Sequence, residues 1–144
     1  MRLKQALVAV MLAGTWAMGC SNSNSPTSSN SFTLAVNVNL ANTANVATIT
    51  DAQLVIDGAT AVIFSQATPV ASAPLGTTGQ AGGGPHSLQV LLVGQTTSTP
   101  TSYTVASATI QVFDLNRTLL KTITLPNQTA VLGTGSSISY SFSL

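Results

Sequence analysis

Apolar and polar residues alternate with a period of two through much of the chain from Phe32 onward. Phe32, Leu34, Val36, Val38 and Leu40 alternate with Thr33, Ala35, Asn37 and Asn39. Ile138, Tyr140, Phe142 and Leu144 alternate with Ser137, Ser139, Ser141 and Ser143. Successive side chains of a strand point to opposite faces, so each run predicts a half-buried strand with its large residues inward.

Four or five further strands are predicted between these two. Residues 46–57 are broadly extended, with Leu54 and Ile56 inward. Asp57-Gly58 then predicts a tight hairpin, because Gly supplies the positive φ that such a turn needs, and residues 61–65 return. Residues 86–93 become apolar on both faces, through Leu88, Val90, Leu91, Leu92 and Val93, which marks a central strand. Residues 102–113 change phase between Val105 and Ala106, where a β-bulge would restore the inward face. Asp114-Leu115-Asn116-Arg117 turns the chain, and residues 118–125 return with Leu119, Ile123 and Leu125 on one face. Pro126 and the Gly133/Gly135 segment close that region.

No segment after Cys20 has convincing helical periodicity. Seven or eight short strands at this spacing predict an all-β domain, an antiparallel β-sandwich, with a small barrel as the alternative. Residues 66–85, rich in Ala, Gly, Thr and Pro, form the longest irregular stretch. A loop of that length is a candidate ligand-binding element or a disordered segment, or it hides a short edge strand at residues 70–73. A weak repeat is also present. Val55, Asp57, Pro69, Ala73, Leu75, Gly76 and Thr77 match Val112, Asp114, Pro126, Ala130, Leu132, Gly133 and Thr134 at a constant offset, from duplication or from two similar hairpins.

Two motifs resemble a known family. Leu54-Val55-Ile56-Asp57-Gly58 resembles the strand and turn of bacterial immunoglobulin-like domains. Gly84-Pro85-His86-Ser87-Leu88-Gln89-Val90 resembles the Gly-x-His-x-Leu-x-Val strand of the same domains. The resemblance implies an immunoglobulin-like sandwich used as a spacer or adhesive unit on a bacterial surface.

The N-terminus is of a different kind. Met1-Arg2-Leu3-Lys4 is cationic, and residues 6–17 carry no charge. That length suits a secretory signal and falls short of the roughly 20 residues needed to span a bilayer. It ends in Ala17-Met18-Gly19-Cys20, which resembles the lipobox of bacterial lipoproteins. The resemblance implies cleavage between Gly19 and Cys20 and acylation of Cys20. Ser21 then implies outer-membrane sorting in a diderm host. Cys20 is the sole Cys, so an intrachain disulfide is excluded. Residues 21–31 are Ser, Asn, Thr and one Pro, a flexible tether with a mean reach of about 20 Å. The expected organisation is a signal over 1–19, a lipidated Cys and tether over 20–31, and a sandwich over 32–144.

Charge narrows the function. From Cys20 on, only Asp51, Asp57, Asp114, Arg117 and Lys121 are charged. That excludes the clustered Lys and Arg of a nucleic-acid footprint. It also leaves little for acid–base catalysis or a metal centre. His86, the sole imidazole, falls on an inward position at a strand start and reads as a satisfied structural residue. Asp114-x-Asn116 is short of a calcium loop and reads as a turn. Tyr103 and Tyr140 are the only aromatic platforms for a sugar ring, and Tyr140 is in the inward register. No cofactor and no catalytic residue is expected. The expectation is a membrane-lipid anchor at Cys20 on a binding or scaffolding domain in the bacterial envelope. Its partner would be an envelope protein or a second copy, met through a strand edge away from Arg117 and Lys121. The alternative is an accessory protein that binds a carbohydrate or small ligand through residues 66–85.

Overall fold

The computed structural model describes residues 30–144; Gly19, Cys20, the expected signal and the expected tether up to residue 29 lie outside the described residues. Nine strands follow one another: β1 (Phe32–Asn42), β2 (Ile49–Ile56), β3 (Ala59–Val70), β4 (Ser72–Ala81), β5 (Pro85–Gln95), β6 (Thr101–Phe113), β7 (Leu119–Leu125), β8 (Gln128–Leu132) and β9 (Ser136–Ser143). All pairings are antiparallel. They form two separate sheets: β4-β1-β6-β7, with β8 also on β6, and β3-β2-β5-β9. The domain is a β-sandwich.

Its core is the set of inward positions that period two demands. Leu34, Val36, Val38 and Leu40 of β1 are buried, as are Leu88, Val90 and Leu92 of β5 and Ile138, Tyr140 and Phe142 of β9. Each fully buried Val, Leu or Phe is worth about 1.5–3 kcal/mol, so these three strands alone hold much of the stabilising area. In β6 the phase changes as expected. Asn39 pairs with Ser107 and Leu40 with Val105, leaving Ala106 as the extra residue of a bulge. The bulge lets Tyr103 and Val105 point inward together with Ala108, Ile110 and Val112. Asp57 and Gly58 both have positive φ, 50° and 79°, the backbone signature of the predicted hairpin.

Several expectations are corrected. Residues 66–85 are not a loop; the edge-strand alternative holds, and strand extends well beyond residues 70–73. Residues 66–70 complete β3, residues 72–81 are β4, and only Gly82-Gly83-Gly84 stays irregular before β5. The chain changes sheets at Ala71, so both strands run along an edge, where Pro69 and Pro74 are tolerated. Pro126 divides what would be one edge partner of β6 into β7, beside Ala108–Phe113, and β8, beside Thr101–Val105. Leu119 does not join the inward face of Ile123 and Leu125. A register shift between Val112 and Phe113 leaves it half exposed. Tyr103 is fully buried and Tyr140 nearly so, which removes both as sugar platforms. The repeat does not preserve environment: Val55 is only partly buried where Val112 is fully buried, and the chain changes sheets after β3 but not after β7.

A polar knot closes the Ala71 end. The Tyr103 hydroxyl meets Thr48 Oγ1 at 2.9 Å and donates to Gln95 Oε1 at 2.7 Å, while Asn42 Nδ2 donates to Thr48 Oγ1 at 3.1 Å. The backbone N–H of Asn42 donates to the Ala71 carbonyl and that of Thr48 to the Val70 carbonyl. The knot thus fastens the corner from which β3 and β4 depart.

Candidate functional site

The strands β3 and β4 leave the Ala71 corner together, each paired on one side only. Toward their far ends a cleft of about 450 Å³ opens between them. Leu34, Val36 and Ile56 form its apolar floor, Ala59–Ala61 one wall, and Thr77–Gly82 the other. Thr60, Thr77 and Thr78 line walls whose main chains carry the unpaired groups of two sheet edges.

At the mouth stands a three-part clamp. The Asp57 side chain, in the β2–β3 turn, accepts Ser87 N–H on Oδ1 at 2.8 Å, and Asp57 N–H donates to the Ser87 carbonyl at 3.1 Å. Its Oδ2 lies 2.7 Å from His86 Nδ1. His86 Nε2 lies 3.0 Å from the Gly82 carbonyl, and the ring stacks on Phe142 with centroids 5.3 Å apart. Both ring nitrogens therefore face acceptors. Only the imidazolium, which donates from both, satisfies the two contacts at once. The bond to Asp57 raises the His86 pKa, against the opposing effect of burial and with help from Gly82. The Ser87 N–H and then His86 hold the Asp57 carboxyl below its ordinary value. With neither nitrogen free to accept a proton from a third group, the geometry suits a fixed cation and not a general base.

The other side of the sandwich, where β7 and β8 face β9, is built differently. The Gly84–Leu144 exchange of backbone hydrogen bonds places the N–H and C=O of alternate β9 residues toward β5 and turns those of Ser139 and Ser143 outward. Lys121 Nζ donates to the Ser143 carbonyl at 3.0 Å and Gln128 Nε2 to the Ser139 carbonyl at 3.3 Å. Side chains from the first sheet thereby cover edge acceptors of the second.

The sequence-predicted residues separate accordingly. Gly19 and Cys20 lie outside the described residues. The far part of residues 66–85 does line the cleft, as strand and as the Gly82 carbonyl. Asp114 Oδ1 accepts the N–H groups of Asn116 and Thr118, both at 2.8 Å, and so closes its own turn. His86 is satisfied, as its inward position at a strand start implied. Its partner Asp57 went unnoticed, although the two motifs that resemble immunoglobulin-like domains contain one residue of the pair each. Comparison with protein-family models, curated proteins and solved structures returns no match.

Proposed function

We propose that this chain is a lipid-anchored bacterial envelope protein. In this reading Cys20 is acylated, residues 21–31 form the tether, and an immunoglobulin-like sandwich binds or scaffolds an extended segment of an envelope protein or of a second copy. The observation that carries the binding half is the cleft between β3 and β4: two unpaired edges above an apolar floor. An added strand gains main-chain hydrogen bonds from such an edge and side-chain contacts from the floor. The sequence carries the anchoring half, through Ala17-Met18-Gly19-Cys20 and the polar segment after it. Catalysis has no part in the proposal: both His86 ring nitrogens are engaged, and among the described residues no third titratable group joins its pair with Asp57.

The cleft volume also falls within the range of about 300–1,000 Å³ usual for small-ligand sites, which favours a second reading as an accessory ligand binder. Fractionation tests the anchor. Cys20→Ser should release the mature domain from membranes or leave the precursor uncleaved, and membrane retention at mature size overturns it. Hydrogen exchange tests the site. A partner strand should protect the backbone amides of both β3 and β4, a small ligand only those near Thr77–Gly82, and protection elsewhere alone would remove the cleft from the reading.

A further inference from the structure

Among the described residues, six large apolar side chains are strongly exposed, and three of them belong to one hairpin. Leu115, at the tip between β6 and β7, is 69% exposed; Leu119 and Leu120, at the start of β7, are 49% and 51% exposed. The two basic residues of the domain, Arg117 and Lys121, are on the same hairpin. With Asp114, whose carboxylate accepts the N–H groups of Asn116 and Thr118, the hairpin carries a formal net charge of +1. Asp57, at the same end, is paired with His86.

The position of this hairpin gives the pattern its meaning. Thr33 of β1 pairs with Phe113 of β6, and the hairpin begins at the next residue. The tip therefore lies at the end of the sandwich where the chain from Cys20 enters. Residues 21–31 reach about 20 Å on average, and about 35–40 Å when fully extended. Val46, also exposed, follows the other end of β1. Eleven strand residues put it about 35 Å from the tip.

We infer that the β6–β7 hairpin docks onto the surface of the membrane that holds the anchor, with Leu115, Leu119 and Leu120 entering the headgroup boundary and Arg117 and Lys121 facing anionic phospholipid. The inference rests on the lipid-anchor reading and adds an orientation to it. Leucines drive the contact, and each cation near an anionic surface strengthens it by up to about fivefold, less for Lys121 because it also holds Ser143. β3 and β4 lie in the half of each sheet away from β7, so a contact made by the hairpin does not cover their free edges.

The test uses the lipidated full chain in phosphatidylcholine vesicles with and without phosphatidylglycerol. Trp16, the single Trp, is removed with residues 1–19 in this reading, so an introduced Trp is the one indole to follow. With Leu119→Trp, or Leu115→Trp as a second probe, emission should shift to the blue and be quenched by brominated lipid, more so with phosphatidylglycerol. Val46→Trp should emit as in water. Protein that floats with the vesicles while all three probes emit alike overturns the docking and leaves the anchor standing. Protein that fails to float overturns the anchor, and the orientation with it.

Discussion

The two open sides of the sandwich solve the same problem differently. On one, Lys121 and Gln128 reach from β7 and β8 to the outward carbonyls of Ser143 and Ser139. On the other, β3 and β4 part from the Ala71 corner and leave a cleft with Leu34, Val36 and Ile56 at its floor. The stitched side uses one of the two basic side chains of the domain and one Gln. The open side has Ala, Thr and Gly along β4 and no charge to repel another strand. A chain this poor in charge can guard few edges, so the unguarded one is the informative one.

Phe142→Ala is the largest expected perturbation. Phe142 is buried on β9 and stacks on His86, so it joins the stitched strand to the mouth of the cleft. Its loss should destabilise by about 3–5 kcal/mol in urea unfolding, whereas Ser141→Ala, facing solvent, should stay within about 0.5 kcal/mol. Equal effects would mean that the register of β9 is wrong.

Tyr103→Phe should cost about 1–3 kcal/mol, because it strips the partner from Thr48 and Gln95 in the knot that fastens the Ala71 corner. Tyr140→Phe should be neutral or slightly stabilising. The Tyr140 hydroxyl is buried beside the Gln128 main chain without a well-formed hydrogen bond, and burial pushes its phenol pKa up. The comparison sharpens if Tyr103→Phe also raises hydrogen exchange along β3 and β4, and fails if Tyr140→Phe is the more damaging.

The clamp at the open side predicts a modest pH dependence. The His86 pKa is raised above 6.5, so its contribution is complete below that value and is lost as pH climbs through the raised one. The Asp57 pKa is lowered below 3.8, so its contribution is complete above that value and is lost only as pH falls through the lowered one. The pair should therefore stabilise most between about pH 4 and 6.5. Asp57 is about half exposed, and solvent screening keeps the effect near or below about 1 kcal/mol. His86→Gln should abolish the decline in stability above pH 6.5; an unchanged decline in that variant would assign it elsewhere.

The smallest effect on stability, and the most direct probe of the edges, comes from Ile63→Lys on β3. Unfolding should change by no more than about 0.5 kcal/mol. Sedimentation of the domain from Ser31 should show weak self-association in the parent and less of it in Ile63→Lys. Val131→Lys, on β8 at the stitched side, should leave association unchanged. A concentration-independent monomer in the parent would remove self-association and leave a hetero-partner for the cleft.

Where the local pattern was strong, the elements could be read from the chain. The alternation in β1 and β9, the Asp57-Gly58 hairpin and the phase change at Ala106 depend on residues within a few positions of one another. β4 was hidden because an edge strand buries one face only. Its inward residues, Ala73 and Leu75, are followed by Thr77 and Gly79, too small or polar to register as an apolar stripe. Leu119 was misplaced because a register shift is set by the partner strand. The His86–Asp57 pair was missed because 29 positions separate its members and only the meeting of β2 and β5 joins them. The cleft likewise exists only where two sheets part.

Only two of the seven strand pairings, β2 with β3 and β6 with β7, join neighbours along the chain. β1 must wait for β4 and β6, and β5 must wait for β9. Closing such long loops before any contact rewards them makes folding slow, in the range of milliseconds to seconds for sandwiches of this kind. Time is thus built into the topology: the core can close only after segments far apart in the chain have met.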